Sequence, residues 1–77
     1  WERVCRDGFI SMDNAVNILV IETVTGMAMA VAAALDSMHF NEIVGTIAGD
    51  DTIMCAVRSI DDVVNLMGKL RLIIDRD

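Results

Sequence analysis

The sequence is poor in the residues that metal sites and hydrolytic active sites use in numbers. Its 77 residues include one histidine, two cysteines and no proline. One histidine, His39, supports neither a metal cluster nor a catalytic triad. Cys5 and Cys55 have neither metal-ligand spacing nor the density of a disulfide-stabilised secreted scaffold. We therefore expect buried free thiols in a reducing cytoplasm, no metal and no cofactor, and a protein that is not an enzyme.

Basic residues are also scarce. Six lysines and arginines stand against twelve acidic residues, giving a net charge of −6. Such a surface repels a phosphate backbone, so this segment is a poor nucleic-acid binder by itself. The acidity suits a cationic ligand, although an acidic balance is more often only a device for solubility.

The sequence has no uninterrupted apolar run that reads as a membrane span. Residues 15–35 are mostly apolar, and a window of that length could cross a bilayer. However, Asn17 and Glu22 lie inside it, and Thr25 and Gly26 divide it into a β-rich and an Ala/Met-rich part. A strand, a turn and a helix fit better, so we expect no membrane contact. No basic leader or cleavage site opens the chain, which argues against a signal peptide.

Hydrophobic residues, by contrast, are abundant. They make up 55% of the chain, and the mean hydropathy is +0.52. A domain of this size buries only roughly 60% of its unfolded surface, so its own core is marginal. The composition predicts that part of the apolar surface is buried between subunits.

The pattern predicts one domain over residues 1–77 with the order ββαββα. The predicted elements are strands Arg3–Met12 and Val16–Val24, helix Met27–Met38, strands Ile43–Ala48 and Thr52–Arg58, and a last helix opening after Ser59. We expect an α+β fold, a four-stranded sheet with two helices on one face. Asp13-Asn14 is the predicted first turn, Gly8 a possible bulge and Thr25 the first helix cap.

The two predicted helices differ in character. The first is apolar nearly all round, which predicts burial on more than one side, with a neighbouring subunit as the cover. The second is amphipathic. Ser59 is its predicted N-cap, and Asp61 and Asp62 lie in the first turn, where the helix dipole favours them.

The most informative stretch is GTIAGDDTI, residues 45–53. It places Asp50 and Asp51 side by side at a turn between two apolar strands. Gly-Asp-Asp is ordinary turn chemistry, and a solvated turn is one interpretation. A second is a site for a guanidinium group, which carboxylates bind bidentately. A metal site is a third, but further oxygen ligands at short spacing are lacking.

This stretch resembles the signature of the arginine repressor C-terminal domain. Leu35-Asp36-Ser37 is similar to the Asp-Ser pair that closes the first helix in that family, and Thr23–Gly26 is similar to its Thr-x-x-Gly helix entry. The resemblance covers nearly all of the chain. The ββαββα order, obtained independently, agrees with the family's fold.

The resemblance implies a hexamer of two stacked trimers, with L-arginine bound between them as corepressor. It assigns the ligand to acidic residues of more than one subunit, and here Asp50 and Asp51 match the paired aspartates. Asp36, Thr46 and Ala48 match further positions lining the pocket. The family carries a winged helix-turn-helix domain before this segment. Operator DNA would therefore be bound only through that domain, which is absent from this chain.

One position departs from the family pattern. The family usually carries a glutamine shortly after the helix-entry glycine, and in this sequence that position is Met29. A thioether cannot supply the hydrogen bonds of an amide. Either the aspartates still bind arginine, more weakly, or the chain is a structural hexamerisation module that has lost its ligand. An enzyme of similar architecture, such as a pterin dehydratase-like protein, would need several histidines.

Overall fold

Two β-hairpins lie side by side in one antiparallel sheet. The computed structural model describes residues 2–75. Its elements are α1 (Glu2–Gly8), β1 (Phe9–Ala15), β2 (Ile18–Thr23), α2 (Ala28–Ser37), β3 (Ile43–Ala48), β4 (Thr52–Val57) and α3 (Ile60–Ile74). The two hairpins join through β2 and β4, so the strand order is β1-β2-β4-β3. The predicted α+β class and four-stranded sheet are confirmed.

The hydrophobic core lies between the sheet and the helices. Alternate residues of the two central strands, Leu19 and Ile21 of β2 and Ile53 and Cys55 of β4, are each at most 1% exposed. Because side chains alternate across a strand, these four share one face of the sheet. The helices add their own buried side chains to this cluster: Cys5 of α1, Ala28, Val31, Ala34 and Leu35 of α2, and Val63, Leu66 and Leu70 of α3. The opposite face of the sheet is left open.

The predicted first strand, Arg3–Met12, is wrong over its first half, where the chain forms α1 instead. Cys5 of α1 is 3% exposed, and the helix packs against both α2 and α3. Gly8, predicted as a bulge, is instead the last residue of α1, and a Cβ there would lie 2.7 Å from Cγ2 of Val31 on α2. Tertiary packing thus decides this segment, whose short apolar pattern does not distinguish a helix from a strand.

The first hairpin turns three residues later than predicted. Asp13 and Asn14 lie in β1, and the turn consists of Val16 and Asn17. Nδ2 of Asn17 donates a hydrogen bond to the carbonyl oxygen of Val57, 3.0 Å away in β4. This contact links the turn to β4. The other turn residue, Val16, lies in the left-handed region at φ 54°.

The remaining elements agree closely with the sequence pattern. β3 has the predicted bounds, and β4 ends one residue early, at Val57. Ser59 caps α3 as predicted, since its Oγ accepts a hydrogen bond from the N–H of Asp62 at 3.1 Å. Within residues 2–75, no helix is long and apolar enough to cross a membrane.

Both cysteines are buried free thiols, as predicted. Burial raises the pKa of Cys55 to about 11 and also raises the pKa of Cys5. The nucleophilic and metal-binding form of cysteine is the thiolate, which these values disfavour near neutral pH. The two thiols are therefore core residues.

Candidate functional site

The paired aspartates lie at the tip of the β3–β4 hairpin. Gly49, Asp50 and Asp51 connect the two strands, and the N–H of Gly49 donates a hydrogen bond of 2.8 Å to the carbonyl oxygen of Thr52. Both aspartates are exposed. The predicted turn at this point is therefore present, with its two carboxylates at the surface.

The backbone of this tip is fastened to the segment that leads into α2. The carbonyl oxygen of Asp50 accepts hydrogen bonds from the N–H groups of Gly26 (3.1 Å) and Ala28 (3.2 Å). The carbonyl oxygen of Asp51 accepts one from the N–H of Thr23 at 2.7 Å. These contacts hold the tip at the N-terminal end of α2.

The same contacts explain why the predicted cap of α2 is wrong. Met27, not Thr25, occupies the N-cap position, and it offers no side-chain hydrogen bond. The first N–H groups of a helix need acceptors from outside the helix. Asp50 supplies one with its backbone carbonyl, so a residue distant in sequence replaces a local cap.

The two carboxylates of the tip differ in their surroundings. Oγ1 of Thr52 donates a hydrogen bond to Oδ1 of Asp51 at 3.0 Å. The carboxylate of Asp50 receives no hydrogen bond from any residue in 2–75. One carboxylate is thus held by a neighbour, and the other is held only through its backbone.

A second polar contact lies near the other end of α2. Oγ1 of Thr46 in β3 donates a hydrogen bond to Oδ1 of Asp36 at 3.1 Å. Ala48 follows two positions later and, like Thr46, is half-buried. Alternation along a strand places these two side chains on the same face. Asp36, Thr46 and Ala48 therefore line the seam between α2 and β3.

Met29 lies on the outward side of α2, in its first turn. It is 72% exposed. With a rise of 1.5 Å per residue, Met29 and Asp36 stand about 10 Å apart along the helix axis. Ala30 and Ala33 are also exposed on this helix. Met29 is thus near the aspartate tip, whereas Asp36 is at the far end.

The six residues predicted to bind the ligand therefore lie along α2, β3 and the β3–β4 turn. Asp36 and Thr46 are in direct contact, and the aspartate tip contacts the start of α2. Asp36 and the aspartate pair, however, lie at opposite ends of α2. Within one chain they do not close around a single pocket.

A cleft of about 300 Å³ opens beside Asp36. Its lining comes from the end of α2, the loop to β3 and the end of β4: Leu35, Asp36, His39, Phe40, Asn41, Ile43, Val44, Gly45 and Arg58. Nε of Arg58 donates a hydrogen bond to the carbonyl oxygen of Asn41 at 2.8 Å. His39, in the loop that follows α2, is exposed. Arg58 and Asn41 were missed because only the tertiary fold brings them together.

No group of three or more His, Cys, Asp or Glu side chains able to hold a metal ion occurs within residues 2–75. The metal interpretation of Asp50 and Asp51 therefore has no further side chains to complete a coordination shell. Oxygen-liganded cations take six or more ligands, of which two exposed carboxylates supply too few.

The open face of the sheet is apolar at its centre. Val20 of β2 pairs with Met54 of β4, and Ile47 of β3 pairs with the same methionine from the other side. Met54 is 53% exposed and Ile47 is 79% exposed. A contiguous exposed apolar patch of this kind is typical of a surface that another protein covers.

Comparison with known proteins gives a consistent result. A family model described as "Arginine repressor, C-terminal domain" matches residues 5–71. The arginine repressor of Lachnoclostridium phytofermentans is 60% identical over 73 residues, which is 95% of this chain and 48% of the relative. That of Lachnospira eligens is 61% identical over 71 residues, 92% of this chain and 47% of the relative. The arginine repressor of Bacillus pumilus is 41% identical over 69 residues, 90% of this chain and 46% of the relative.

The chain thus spans about half the length of the curated relatives it matches. These relatives carry the name of a repressor, a class of transcription regulator, which agrees with the expectation that the chain is not an enzyme.

Proposed function

Since the chain belongs to the arginine repressor C-terminal domain family, we propose that it is the L-arginine-sensing oligomerisation domain of a transcriptional regulator of arginine metabolism. The observation that carries this proposal is the aspartate tip. Its backbone is fastened by three hydrogen bonds to the segment from Thr23 to Ala28, while both carboxylates stay exposed. Exposed carboxylates on a fixed backbone suit the binding of a cationic group.

The residues assigned to the site indicate the chemical groups that the ligand must carry. Carboxylates accept paired hydrogen bonds from a guanidinium group and single ones from an ammonium group. Asp36, Asp50 and Asp51 supply three carboxylates. Thr46 and Ala48 line the seam between α2 and β3, and Met29 lies beside the tip. L-Arginine carries both cationic groups, which makes it the ligand we propose.

Assembly is the second part of the proposal. Asp36 and the aspartate pair are separated by most of α2, so one chain does not bring all three carboxylates to one ligand, and we propose that a further copy of the chain completes the site. The apolar face around Val20, Ile47 and Met54 gives copies a surface to bury. We propose trimers, two of which form a hexamer with arginine between them.

Ligand binding and assembly would then be linked. Assembly brings carboxylates of several chains together, and like charges in a partly desolvated site repel one another. The cationic groups of arginine neutralise that repulsion. A ligand that binds only the assembled state stabilises it by mass action, so arginine would favour the hexamer.

DNA binding is proposed for the other half of the full-length regulator. The net charge of this chain, −6, opposes contact with a phosphate backbone. A winged helix-turn-helix domain preceding this segment would bind operator DNA, and the hexamer would present several such domains at once. The regulator would act in the cytoplasm, where bacterial DNA lies.

One observation favours a second function. Met29 is 72% exposed beside the aspartate tip, where its thioether offers a ligand almost no hydrogen bonding. The alternative is a structural hexamerisation module that no longer binds arginine. Under this alternative the apolar sheet face keeps its role, whereas the aspartates are ordinary turn residues.

Sedimentation velocity with and without millimolar L-arginine separates the two functions. The sensing proposal predicts a shift from trimer toward hexamer, lost in Asp50→Asn and Asp51→Asn. Asp61→Asn is the matched control, because Asp61 is also an exposed aspartate but lies in the first turn of α3. A hexamer unaffected by arginine, with no heat of binding, supports the structural module. A stable monomer that ignores arginine contradicts both.

A further inference from the structure

The hydroxyl group of Thr52 is a feature of the aspartate tip that the proposed function does not use. Thr52 is the first residue of β4 and follows Asp51 directly. Its Oγ1 donates a hydrogen bond to Oδ1 of Asp51 at 3.0 Å. Thr52 is half-buried, whereas Asp51 is exposed. A side chain anchored in the sheet therefore touches a carboxylate that is otherwise free to rotate in solvent.

The strand fixes the position of this hydroxyl. Thr52 pairs with Glu22 of β2, and its carbonyl oxygen accepts the hydrogen bond from the N–H of Gly49 that closes the hairpin. A threonine side chain is also stiff, because its branched Cβ restricts rotation about χ1. Both the backbone and the side-chain rotamer of Thr52 are thus constrained in the ligand-free chain.

We infer that Thr52 is a positioning residue for the ligand, and that its hydroxyl holds the Asp51 carboxylate in the orientation that accepts a cationic group. This inference rests on the proposed function. An ionised carboxylate has about four lone-pair sites, and the hydroxyl occupies only one of them. The others remain available to a guanidinium or ammonium group.

Asp36, another of the three carboxylates that we assign to the ligand, has a similar partner. Oγ1 of Thr46 donates to Asp36 as Oγ1 of Thr52 donates to Asp51. Asp50 has no such partner among residues 2–75. Removing the hydroxyl of Thr52 should therefore weaken the contribution of Asp51 and leave that of Asp50 unchanged.

The expected effect is moderate, because the change frees one side chain and removes no charge. Ordering a single side chain on binding corresponds to an affinity change of about three- to tenfold. We expect Thr52→Val to weaken L-arginine binding by about this factor. Valine keeps the branched shape and suits a strand, so the fold should be retained.

Calorimetric titration with L-arginine, together with thermal unfolding of the ligand-free chain, tests this inference. Thr52→Val should bind more weakly with little change in melting temperature, and Thr52→Ser, which keeps the hydroxyl, should restore most of the affinity. Ser59→Ala is the control for a purely structural loss. It removes the cap of α3, so it should lower the melting temperature and leave the affinity for arginine unchanged.

Three results would overturn the role of Thr52. Equal affinity of the unsubstituted chain and Thr52→Val shows that the hydroxyl does not position Asp51. Weak binding by Thr52→Ser as well shows that the effect does not pass through the hydroxyl. A lowered melting temperature that accounts for the loss shows a structural role only. If the unsubstituted chain binds no arginine at all, the proposed function fails and this inference fails with it.

Discussion

The carbonyl oxygen of Asp50 accepts a hydrogen bond from the N–H of Ala28, the first residue of α2, at 3.2 Å. The tip of the β3–β4 hairpin therefore caps the N-terminus of α2. The consequence is mechanical, because a displacement of the tip leaves N–H groups at the start of α2 without an acceptor. The aspartates that we propose to bind the cationic groups of the ligand are thus connected by backbone hydrogen bonds to α2, the helix that carries Met29.

Met29 gives the sharpest prediction about the ligand. We expect Met29→Gln to bind L-arginine about three- to tenfold more tightly, because an amide adds a hydrogen bond worth about 0.5–1.5 kcal/mol net. Calorimetric titration measures the change. Leu72→Gln is the matched control, since Leu72 on α3 is 73% exposed and Met29 is 72% exposed. Equal affinities for the unsubstituted chain and Met29→Gln would mean that this residue does not limit binding.

Val16 gives a prediction about stability. Its φ of 54° lies in the left-handed region, which costs a residue with a Cβ about 1–2 kcal/mol. Asparagine tolerates this conformation much better. We expect Val16→Asn to raise the free energy of unfolding by about 1 kcal/mol in urea denaturation. Val16 is 66% exposed, so the substitution removes little buried surface.

The control for Val16 is an equally exposed valine with ordinary backbone angles. Val64 on α3 is also 66% exposed, and valine and asparagine have similar helix propensities. Val64→Asn should therefore leave stability nearly unchanged. A comparable gain in both variants would attribute the effect to reduced surface hydrophobicity and not to backbone strain.

How far the sequence predicts this fold depends on whether the deciding contact is local. Ser59 caps α3 through a residue three positions away, and that helix was predicted correctly. The position of the first turn depends on Asn17 reaching Val57, and α1 depends on burying Cys5 beneath two other helices. Both were predicted wrongly, because a distant contact overrides the local pattern.

The candidate site shows the same division. Asp50 and Asp51 were predicted at a turn because Gly-Asp-Asp between apolar strands is a local signal, and the turn is present. The fastening of that turn to α2 is a tertiary contact and was not foreseen. Thr52 was also missed, although a hydroxyl residue directly after an aspartate pair is a signal that the sequence offers.

The ion pair between Glu42 and Lys69 makes stability depend on pH. Nζ of Lys69 lies 2.6 Å from Oε2 of Glu42, whose side chain is only 8% exposed. The hydrogen bond from Lys69 lowers the pKa of Glu42 below its ordinary value of 4.5. A carboxyl whose pKa is lower in the folded chain stabilises the fold above its unfolded pKa, and this contribution is lost as pH falls through the folded value.

We therefore expect Lys69→Met to be destabilising at pH 7 by about 1–2 kcal/mol, since it leaves a buried carboxylate without its partner. The effect stays small because the Lys69 side chain is half exposed, and solvent weakens the pair. The difference from the unsubstituted chain should shrink as the pH falls below 4.5, the ordinary pKa of Glu42, and through its lowered pKa in the folded chain. A difference that stays constant from pH 7 to pH 3 would exclude the ion pair as its cause. In a Glu42→Gln background, Lys69→Met should change the free energy of unfolding by an amount that depends little on pH, because position 42 no longer titrates.

Two glycines in helices should respond in opposite ways to the same substitution. A Cβ on Gly8 would lie 2.7 Å from Cγ2 of Val31, where the end of α1 meets α2, whereas a Cβ on Gly68 would meet no atom within 4 Å. We expect Gly8→Ala to lower the free energy of unfolding by about 1–3 kcal/mol through overpacking. Gly68→Ala, in the middle of α3, should raise it by about 0.5–1 kcal/mol, because alanine favours a helix more than glycine does.

Urea denaturation of both glycine variants beside the unsubstituted chain measures these changes. Their opposite signs make the pair informative, since a general effect of alanine on helix formation would stabilise both. Gain of stability in Gly8→Ala would show that α1 does not approach α2 as closely as Gly8 and Val31 indicate. Gly8 ends the segment in which a helix replaces the predicted strand, so this pair of variants tests how that helix packs against α2.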